Sequence, residues 1–232
     1  MIKKMTTLAT AFLMMAILCV SAFAANQAYP WVQSKTNWCW ATVAKAMIDT
    51  REGGGYSAPS TYTAFNDQTG IRQNYCLYSG GIYLVDKTQE YIVRTYKNDD
   101  FTGSDKDNLA GSVTEFQNAV EEETGYDVSN YGSWNTTPFS NITNRETYID
   151  DNLVTNSKEI CGNAYSHGST KKKSKGHSLL ITRKLSSGSY KIWNPWNNTY
   201  VNYTPDKIFT NGFKPAPFTG TTMYIENVVY FS

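Results

Sequence analysis

Residues 33–48 read QSKTNWCWATVAKAMI, and this stretch decides the fold. From Trp40 onward its apolar residues recur at helical spacing, which predicts a helix from Cys39 to about Arg51, where glycines follow. Cys39 would therefore lie on the first turn of a helix. Because the positive end of a helix dipole favours an anion, we expect a lowered pKa for the Cys39 thiol and a nucleophile near neutral pH.

Gln33 lies six residues before Cys39, and its side-chain amide is a candidate oxyanion donor. An amide N–H can stabilise the negative charge that develops on a carbonyl oxygen when a sulfur attacks it. The stretch thus offers a nucleophile and an oxyanion donor, and it requires a base from elsewhere in the chain. The alternative for Cys39 is a small buried hydrophobic residue beneath Trp38 and Trp40.

The first 24 residues have the pattern of a secretory signal peptide. Lys3 and Lys4 precede an apolar run, and residues 22–24 read AFA, a small-residue cleavage site. The run is too short for a membrane span, so we expect a secreted, extracellular protein that starts near Ala25 and has no membrane contact. Without Lys3 and Lys4 the chain has 19 basic and 20 acidic side chains. This near-neutral balance gives no reason to expect nucleic-acid binding.

Three cysteines follow the signal peptide: Cys39, Cys76 and Cys161. An odd number in an oxidising compartment leaves one thiol unpaired, and a disulfide bond between Cys76 and Cys161 would leave Cys39 free. Three reduced cysteines are the alternative. Because the chain lacks a close Cys or His pair with the spacing of a zinc site, we expect neither a metal nor another cofactor.

The first half of the mature chain, residues 33–125, is expected to be a lobe dominated by helices. Residues 57–81 are rich in turn formers and predict loops, with one short helix near residues 61–65. The short apolar run over residues 83–93 fits a strand or a helix equally well. An amphipathic pattern between residues 108 and 125, ended by a glycine, predicts a second helix.

The second half, residues 126–232, is expected to be a lobe built on an antiparallel sheet, so that the whole domain, residues 25–232, has an α+β fold. Its strongest signal is a hairpin around the turn SSGS, and residues 167–176 before that hairpin predict a solvated, lysine-rich loop. The predicted elements are a polar crossover at 126–140, a helix at 143–153, a strand at 159–165, the hairpin strands 177–185 and 190–194, and a closing strand at 222–231.

His177 is the favoured general base among the two histidines of the mature chain. It opens a strong strand, which would hold its ring at a sheet end, whereas His167 lies among Gly, Ser and Lys residues that give little support. Asn194 ends the partner strand and would lie beside His177, where its amide oxygen can orient the imidazole and Trp196 can shield the hydrogen bond from water. The alternative is that Asn194 simply ends a strand.

The order and spacing of Gln33, Cys39, His177 and Asn194 resemble those of papain-like cysteine peptidases. The motifs NWCWA and GHSLLI are most similar to small secreted bacterial members, such as staphopains and double-glycine leader peptidases. The resemblance implies a two-lobed fold with Cys39 as nucleophile, His177 as base, Asn194 as orienting residue, and Gln33 with the Cys39 backbone N–H as oxyanion hole. Thr36 stands where the family usually has a disulfide-forming cysteine.

The resulting hypothesis is a secreted thiol peptidase that hydrolyses peptide bonds in protein or peptide substrates through an acyl-enzyme on Cys39. The same residues would serve an acyltransferase or amidase, in which an amine replaces water as the acceptor. A third hypothesis is an inactive secreted binding module with the same fold. A dedicated protein inhibitor is a candidate partner, which the sequence itself does not reveal.

Overall fold

A computed structural model describes ten parts of the chain, and the predicted signal peptide lies outside them. These parts are residues 32–33, 36–54, 56, 61–66, 71–76, 87–97, 110–131, 142–156, 159–167 and 173–232. The helices among them are α1 (Cys39–Arg51), α2 (Lys87–Tyr96), α3 (Val113–Thr124), α4 (Ile142–Asn156) and α5 (Pro205–Phe209). The strands are β1 (Thr61–Asn66), β2 (Ile71–Cys76), β3 (Val128–Tyr131), β4 (Ile160–His167), β5 (Lys173–Lys184), β6 (Tyr190–Asn194), β7 (Thr199–Tyr203) and β8 (Tyr224–Phe231).

A six-stranded antiparallel sheet organises the second half of the chain. Its strand order is β3-β8-β4-β5-β6-β7. Strands β1 and β2 form a separate antiparallel pair. Helices in the first half and an antiparallel sheet in the second confirm the predicted α+β fold, whereas the boundary between the two lobes stays a prediction.

Apolar side chains cover both faces of the large sheet because successive residues of a strand point to opposite sides. On β4 and β5, Cys161 and Leu180 belong to the core that the sheet shares with α1, α2 and α3. Their neighbours Ile160, Leu179 and Ile181 belong to a second core, formed with α4 and α5. Strands buried on both faces read as continuous apolar runs, and LLI in β5 is such a run.

Helix α1 lies at the centre of the first core, in contact with α2, α3, β4 and β5. All ten residues from Trp40 to Asp49 are buried. The polar members are bonded: Thr42 Oγ1 donates to Gln89 Oε1 of α2 over 2.9 Å, and Asp49 Oδ1 accepts the backbone N–H of Tyr56 over 2.8 Å. A helix enclosed on every side needs such partners, because a buried polar group without one is costly.

One carboxylate joins the helices of the first half. Glu123, near the C-terminal end of α3, accepts hydrogen bonds from the hydroxyl groups of Tyr56, Tyr91 and Tyr96 over 2.7, 2.5 and 2.5 Å. The C-terminal end of a helix dipole disfavours a negative charge. Three hydroxyl donors offset that cost and connect α3 with α2 and with the segment after α1.

The elements agree with the prediction where the sequence is periodic. The helices α1, α3 and α4, the strands β4 and β8 and the β5–β6 hairpin are confirmed, with shifts of a few residues at their ends. Residues 87–93 of the ambiguous run belong to helix α2. The short helix predicted near residues 61–65 is wrong, because those residues form β1. Strands β2, β3 and β7 and helix α5 were not predicted, and β5 starts at Lys173 inside the expected loop.

Candidate active site

Cys39 is the first residue of α1 and a free thiol, half-buried at the edge of the core. The indoles of Trp38 and Trp40 on either side are buried and hold the start of the helix in place. From β5, the backbone N–H of Ser178 points at the sulfur, with 3.5 Å between the nitrogen and Sγ. The helix and the sheet therefore meet at this sulfur atom.

His177, the neighbour of Ser178 on β5, is buried with 3% exposure and lies opposite Ala164 in the sheet. Its Nε2 is 2.9 Å from Oδ1 of Asn194, the last residue of β6. The prediction that the hairpin brings these two side chains together is therefore confirmed by the geometry.

The hydrogen bonds of Asn194 assign the tautomer of His177. The backbone N–H of Trp196 donates to one end of the Asn194 amide over 3.0 Å, and the other end donates to the Ala216 carbonyl over 2.8 Å. The first end is therefore the oxygen, and Nε2 of His177 must carry the proton it receives. In a neutral ring, Nδ1 is then the basic nitrogen.

An aromatic ring that sequence analysis missed lies against the imidazole. The Phe218 ring meets the His177 ring edge-on, with 5.7 Å between their centres. We expected the Trp196 side chain to shield the hydrogen bond from water. Trp196 instead contributes its backbone N–H, which donates to Asn194, and the residue is half-buried. Phe218 follows the β6–β7–α5 segment, so its sequence position gives no local signal for this contact.

Gln33 is buried near the same loop. Its backbone N–H donates to the Pro195 carbonyl over 2.8 Å, which ties the segment before α1 to the residue after Asn194. Its side-chain nitrogen donates to the Thr36 carbonyl over 2.7 Å. That bond fixes the orientation of the Gln33 amide. It uses one of the two N–H groups that the amide nitrogen carries.

The protonation of Cys39 and His177 differs from our expectation. Burial raises the pKa of the Cys39 thiol, with the backbone N–H groups of Ser178 and Trp40 acting in the opposite direction. Burial lowers the pKa of His177 to about 4, and the hydrogen bond to Asn194 only partly opposes this. The lowered thiol pKa expected for Cys39 is therefore wrong, because desolvation by burial has the largest effect on this thiol.

A cleft of about 410 Å³ opens beside Cys39 and His177. Its other walls come from the residues before and in α3, from β4 and β5, and from the segment between α5 and β8. They include Gly111, Ser112, Phe116, Tyr165, Lys175 and Phe218. At Gly111 an added Cβ would lie 2.3 Å from the Trp40 indole, so this wall approaches α1 more closely than a side chain permits.

Cys161 is a second buried free thiol, on β4. The structure therefore does not support a disulfide bond between Cys76 and Cys161, and for Cys161 it agrees with the alternative of a reduced cysteine. Cys161 Sγ lies 3.6 Å from Oδ1 of Asn163, and burial raises the pKa of the Cys161 thiol well above its usual range. Its place in the core, between the sheet and α1, explains why it stays reduced: it packs as a small hydrophobic residue.

The alternative base His167 ends strand β4. Among the described residues, no three His, Cys, Asp or Glu side chains are grouped as metal ligands would be. Over the same parts of the chain, no helix combines the length and apolar character needed to cross a membrane.

Comparison with known proteins identifies the fold. The structure of active wild-type interpain A, a cysteine protease of Prevotella intermedia, matches this chain with a TM-score of 0.54 and 15% sequence identity. The match covers 84% of this chain and 85% of that one. The chain thus has the fold of a papain-like cysteine protease. No family model and no curated protein matches its sequence. The narrower likeness to staphopains and leader peptidases stays a prediction.

Proposed function

We propose that this protein is a cysteine peptidase that hydrolyses peptide bonds in protein or peptide substrates. His177 Nδ1 takes the thiol proton as Cys39 Sγ attacks the substrate carbonyl carbon. The backbone N–H of Cys39 and a side-chain N–H of Gln33 stabilise the oxyanion. The imidazolium then protonates the leaving amine, and His177 deprotonates the water that releases the acyl group from Cys39.

The observation that carries the proposal is the fixed tautomer of His177. Trp196 and Ala216 orient the Asn194 amide, and Asn194 holds the proton on Nε2. The base is therefore prepared on the Nδ1 side, and at neutral pH its pKa of about 4 leaves that nitrogen unprotonated. A general base must be positioned and in the right protonation state before it can act.

The cleft supports a catalytic role over an inactive binding module. Cys39 and His177 line the same cavity of about 410 Å³, so a bound substrate would reach both groups at once. The raised thiol pKa does not oppose the proposal, because an adjacent base can activate a thiol during attack. The fold shared with a cysteine protease is consistent with this interpretation.

Secretion belongs to the same proposal. Residues 1–24 have the charged start, apolar run and cleavage site of a signal peptide. The mature enzyme would then act outside the cell, on extracellular proteins or peptides. N-terminal sequencing of the protein exported by an expressing cell tests this: a mature terminus near Ala25 is expected, and retention of residues 1–24 in the exported protein would contradict it.

Casein or a peptide library tests the activity. We expect cleavage by the mature protein and none by Cys39→Ala or His177→Ala, whereas His167→Ala, the matched control, should retain it. Cleavage that survives in Cys39→Ala or His177→Ala would refute the assignment. Adding a primary amine and analysing products by mass spectrometry separates the alternatives, because an acyltransferase would give the amide in place of the free acid.

A further inference from the structure

Gln89 of α2 is a fully buried polar side chain that connects two parts of the candidate site. Its Oε1 accepts a hydrogen bond from Thr42 Oγ1, near the start of α1, over 2.9 Å. Its Nε2 donates to the Val32 carbonyl over 3.0 Å. This one side chain therefore links the helix that carries Cys39 with the residue that precedes Gln33.

The orientation of the Gln89 amide follows from its two partners. The Val32 carbonyl can only accept, so the end of the amide that faces it is the nitrogen. The oxygen then faces Thr42, whose hydroxyl is its donor. The Trp38 carbonyl is also 2.9 Å from this hydroxyl, but it accepts the Thr42 backbone N–H over 3.0 Å, so the hydroxyl proton can serve Gln89. Both ends of the buried amide thus have partners, as burial requires.

The peptide unit between Val32 and Gln33 is held from two sides. Gln89 binds its carbonyl, and the Pro195 carbonyl accepts its N–H, which belongs to Gln33, over 2.8 Å. In a trans peptide the carbonyl and the N–H point in opposite directions, so the two bonds hold the plane between them. The Val32 side chain is 49% exposed, so its packing adds little, and these hydrogen bonds determine where Gln33 lies.

We propose that Gln89 is a positioning residue for the oxyanion hole, because its bond to the Val32 carbonyl holds Gln33 where a side-chain N–H can meet the developing oxyanion. The inference rests on the proposed function, in which Gln33 is an oxyanion donor. Such a donor stabilises the transition state only when it is already in place, and a displacement of about 1 Å can lower the rate by about 100-fold. Gln89 lies outside the described lining of the cleft and acts through Gln33.

Gln89→Met tests the proposal, because methionine has a similar length but no N–H group to offer the Val32 carbonyl. On a peptide substrate, kcat should fall by about 10- to 100-fold while KM stays within about twofold of wild type, since the lost stabilisation arises in the transition state. The fall should not exceed that of Gln33→Ala. In the double variant, kcat should equal that of Gln33→Ala, because Gln89 then has no donor left to position.

Gln117→Met is the matched control. Gln117 of α3 makes the same pair of contacts, because its Oε1 accepts from Asn130 Nδ2 over 2.7 Å and its Nε2 donates to the Val128 carbonyl over 3.0 Å. The control loses a link between a helix and β3, and it should keep kcat within twofold of wild type. Urea unfolding of both variants shows how much stability each has lost. An equal fall of kcat in the control would overturn the proposal, because lost stability alone would explain it.

The double variant gives the sharpest contrary result. An unchanged kcat in Gln89→Met, or a further fall when this change is added to Gln33→Ala, would overturn the proposal, because Gln89 would not act through Gln33. If Gln89→Met does not fold, Thr42→Val, which removes the hydroxyl that orients the amide, is judged by the same two criteria.

Failure of the proposed function gives a different pattern. A wild type that cleaves no substrate, or a Gln33→Ala variant with the kcat of the wild type, would overturn the reaction or the oxyanion role of Gln33, and this proposal with it. An active wild type with a slow Gln33→Ala variant and a further loss in the double variant would overturn the positioning role of Gln89 alone.

Discussion

Asn194→Ala perturbs the candidate site at the bond that fixes His177. The substitution removes the oxygen that accepts from Nε2 over 2.9 Å and from the Trp196 N–H over 3.0 Å, and the nitrogen that donates to Ala216. His177 is only 3% exposed, so water cannot readily replace the lost acceptor. We expect the ring to populate another orientation or the other tautomer, in which Nδ1 carries the proton and is no longer the basic nitrogen.

The magnitude follows from the cost of a buried group that has lost its partner. That cost is about 1–3 kcal/mol for each hydrogen-bonding group. If one such term opposes the reactive orientation of His177, kcat/KM falls by about 5- to 150-fold. The free energy of unfolding should also fall, by a similar amount, because the Trp196 N–H loses its acceptor, and urea unfolding of the variant measures that second loss.

The assay is the pH dependence of kcat/KM on a peptide substrate, with Asn194→Asp as the matched variant. The bond from Asn194 raises the pKa of His177, so removing it should keep the acidic limb at or below about pH 4. A carboxylate at residue 194 would favour the imidazolium and move that limb to higher pH. If Asn194→Ala keeps kcat/KM within twofold of wild type, the orienting role of Asn194 is refuted.

Three further predictions concern stability and the cleft. The pKa of His177 is about 4 in the folded protein and near 6.5 in the unfolded chain. Between these two pH values the unfolded chain binds more protons than the folded protein does. The free energy of unfolding should therefore fall by up to about 3 kcal/mol as the pH is lowered from 6.5 to 4. His177→Gln should remove that part of the acid destabilisation. Urea unfolding of the wild type and of this variant at pH 7 and pH 4 tests it, and an equal fall in the free energy of unfolding in the two proteins would contradict it. Glu123→Gln should lower the free energy of unfolding by about 1–3 kcal/mol, while the exposed neighbour Glu122→Gln should change it little. Gly111→Ala should lower the thermal midpoint and kcat/KM because its Cβ meets an indole ring at 2.3 Å, whereas Gly220→Ala, with no atom within 4 Å of its Cβ, should lower neither.

Periodic elements could be predicted from the sequence, and short polar ones could not. Helix α3 carries its own signals, since Ser112 and Glu115 form a capping box and Gly125 ends it in a left-handed conformation. Strands β1 and β2 carry β-forming residues on either side of the four-residue segment DQTG, but polar, turn-forming residues around them hid that pattern. Helix α5 was missed although Thr204 and Pro205 are an N-cap and a first-turn proline.

At the candidate site, residue types and spacing were enough to predict that His177 and Asn194 lie together, but not to predict the pKa shifts of Cys39 and His177. The hairpin determines that His177 and Asn194 meet, because strand length and turn fix which residues are neighbours. The pKa of Cys39 depends on burial by helices and strands that come from distant parts of the chain, so the local dipole argument gave the wrong direction. The buried hydrogen bonds from Ser178 to Asn163 and from Asn163 to Asn227 also lie beyond sequence analysis, because these residues are far apart in the sequence and each is an ordinary polar residue.

The complete enclosure of α1 has a consequence for how the molecule can fluctuate. With residues 40–49 buried on every side, the amide protons of this helix can exchange with solvent only when the surrounding core separates, and such opening approaches the full free energy of unfolding. Cys39, at the first turn of this helix, therefore keeps its position unless the surrounding core opens. Any protein molecule that displays this helix to solvent has already lost the arrangement of Cys39, His177 and Asn194.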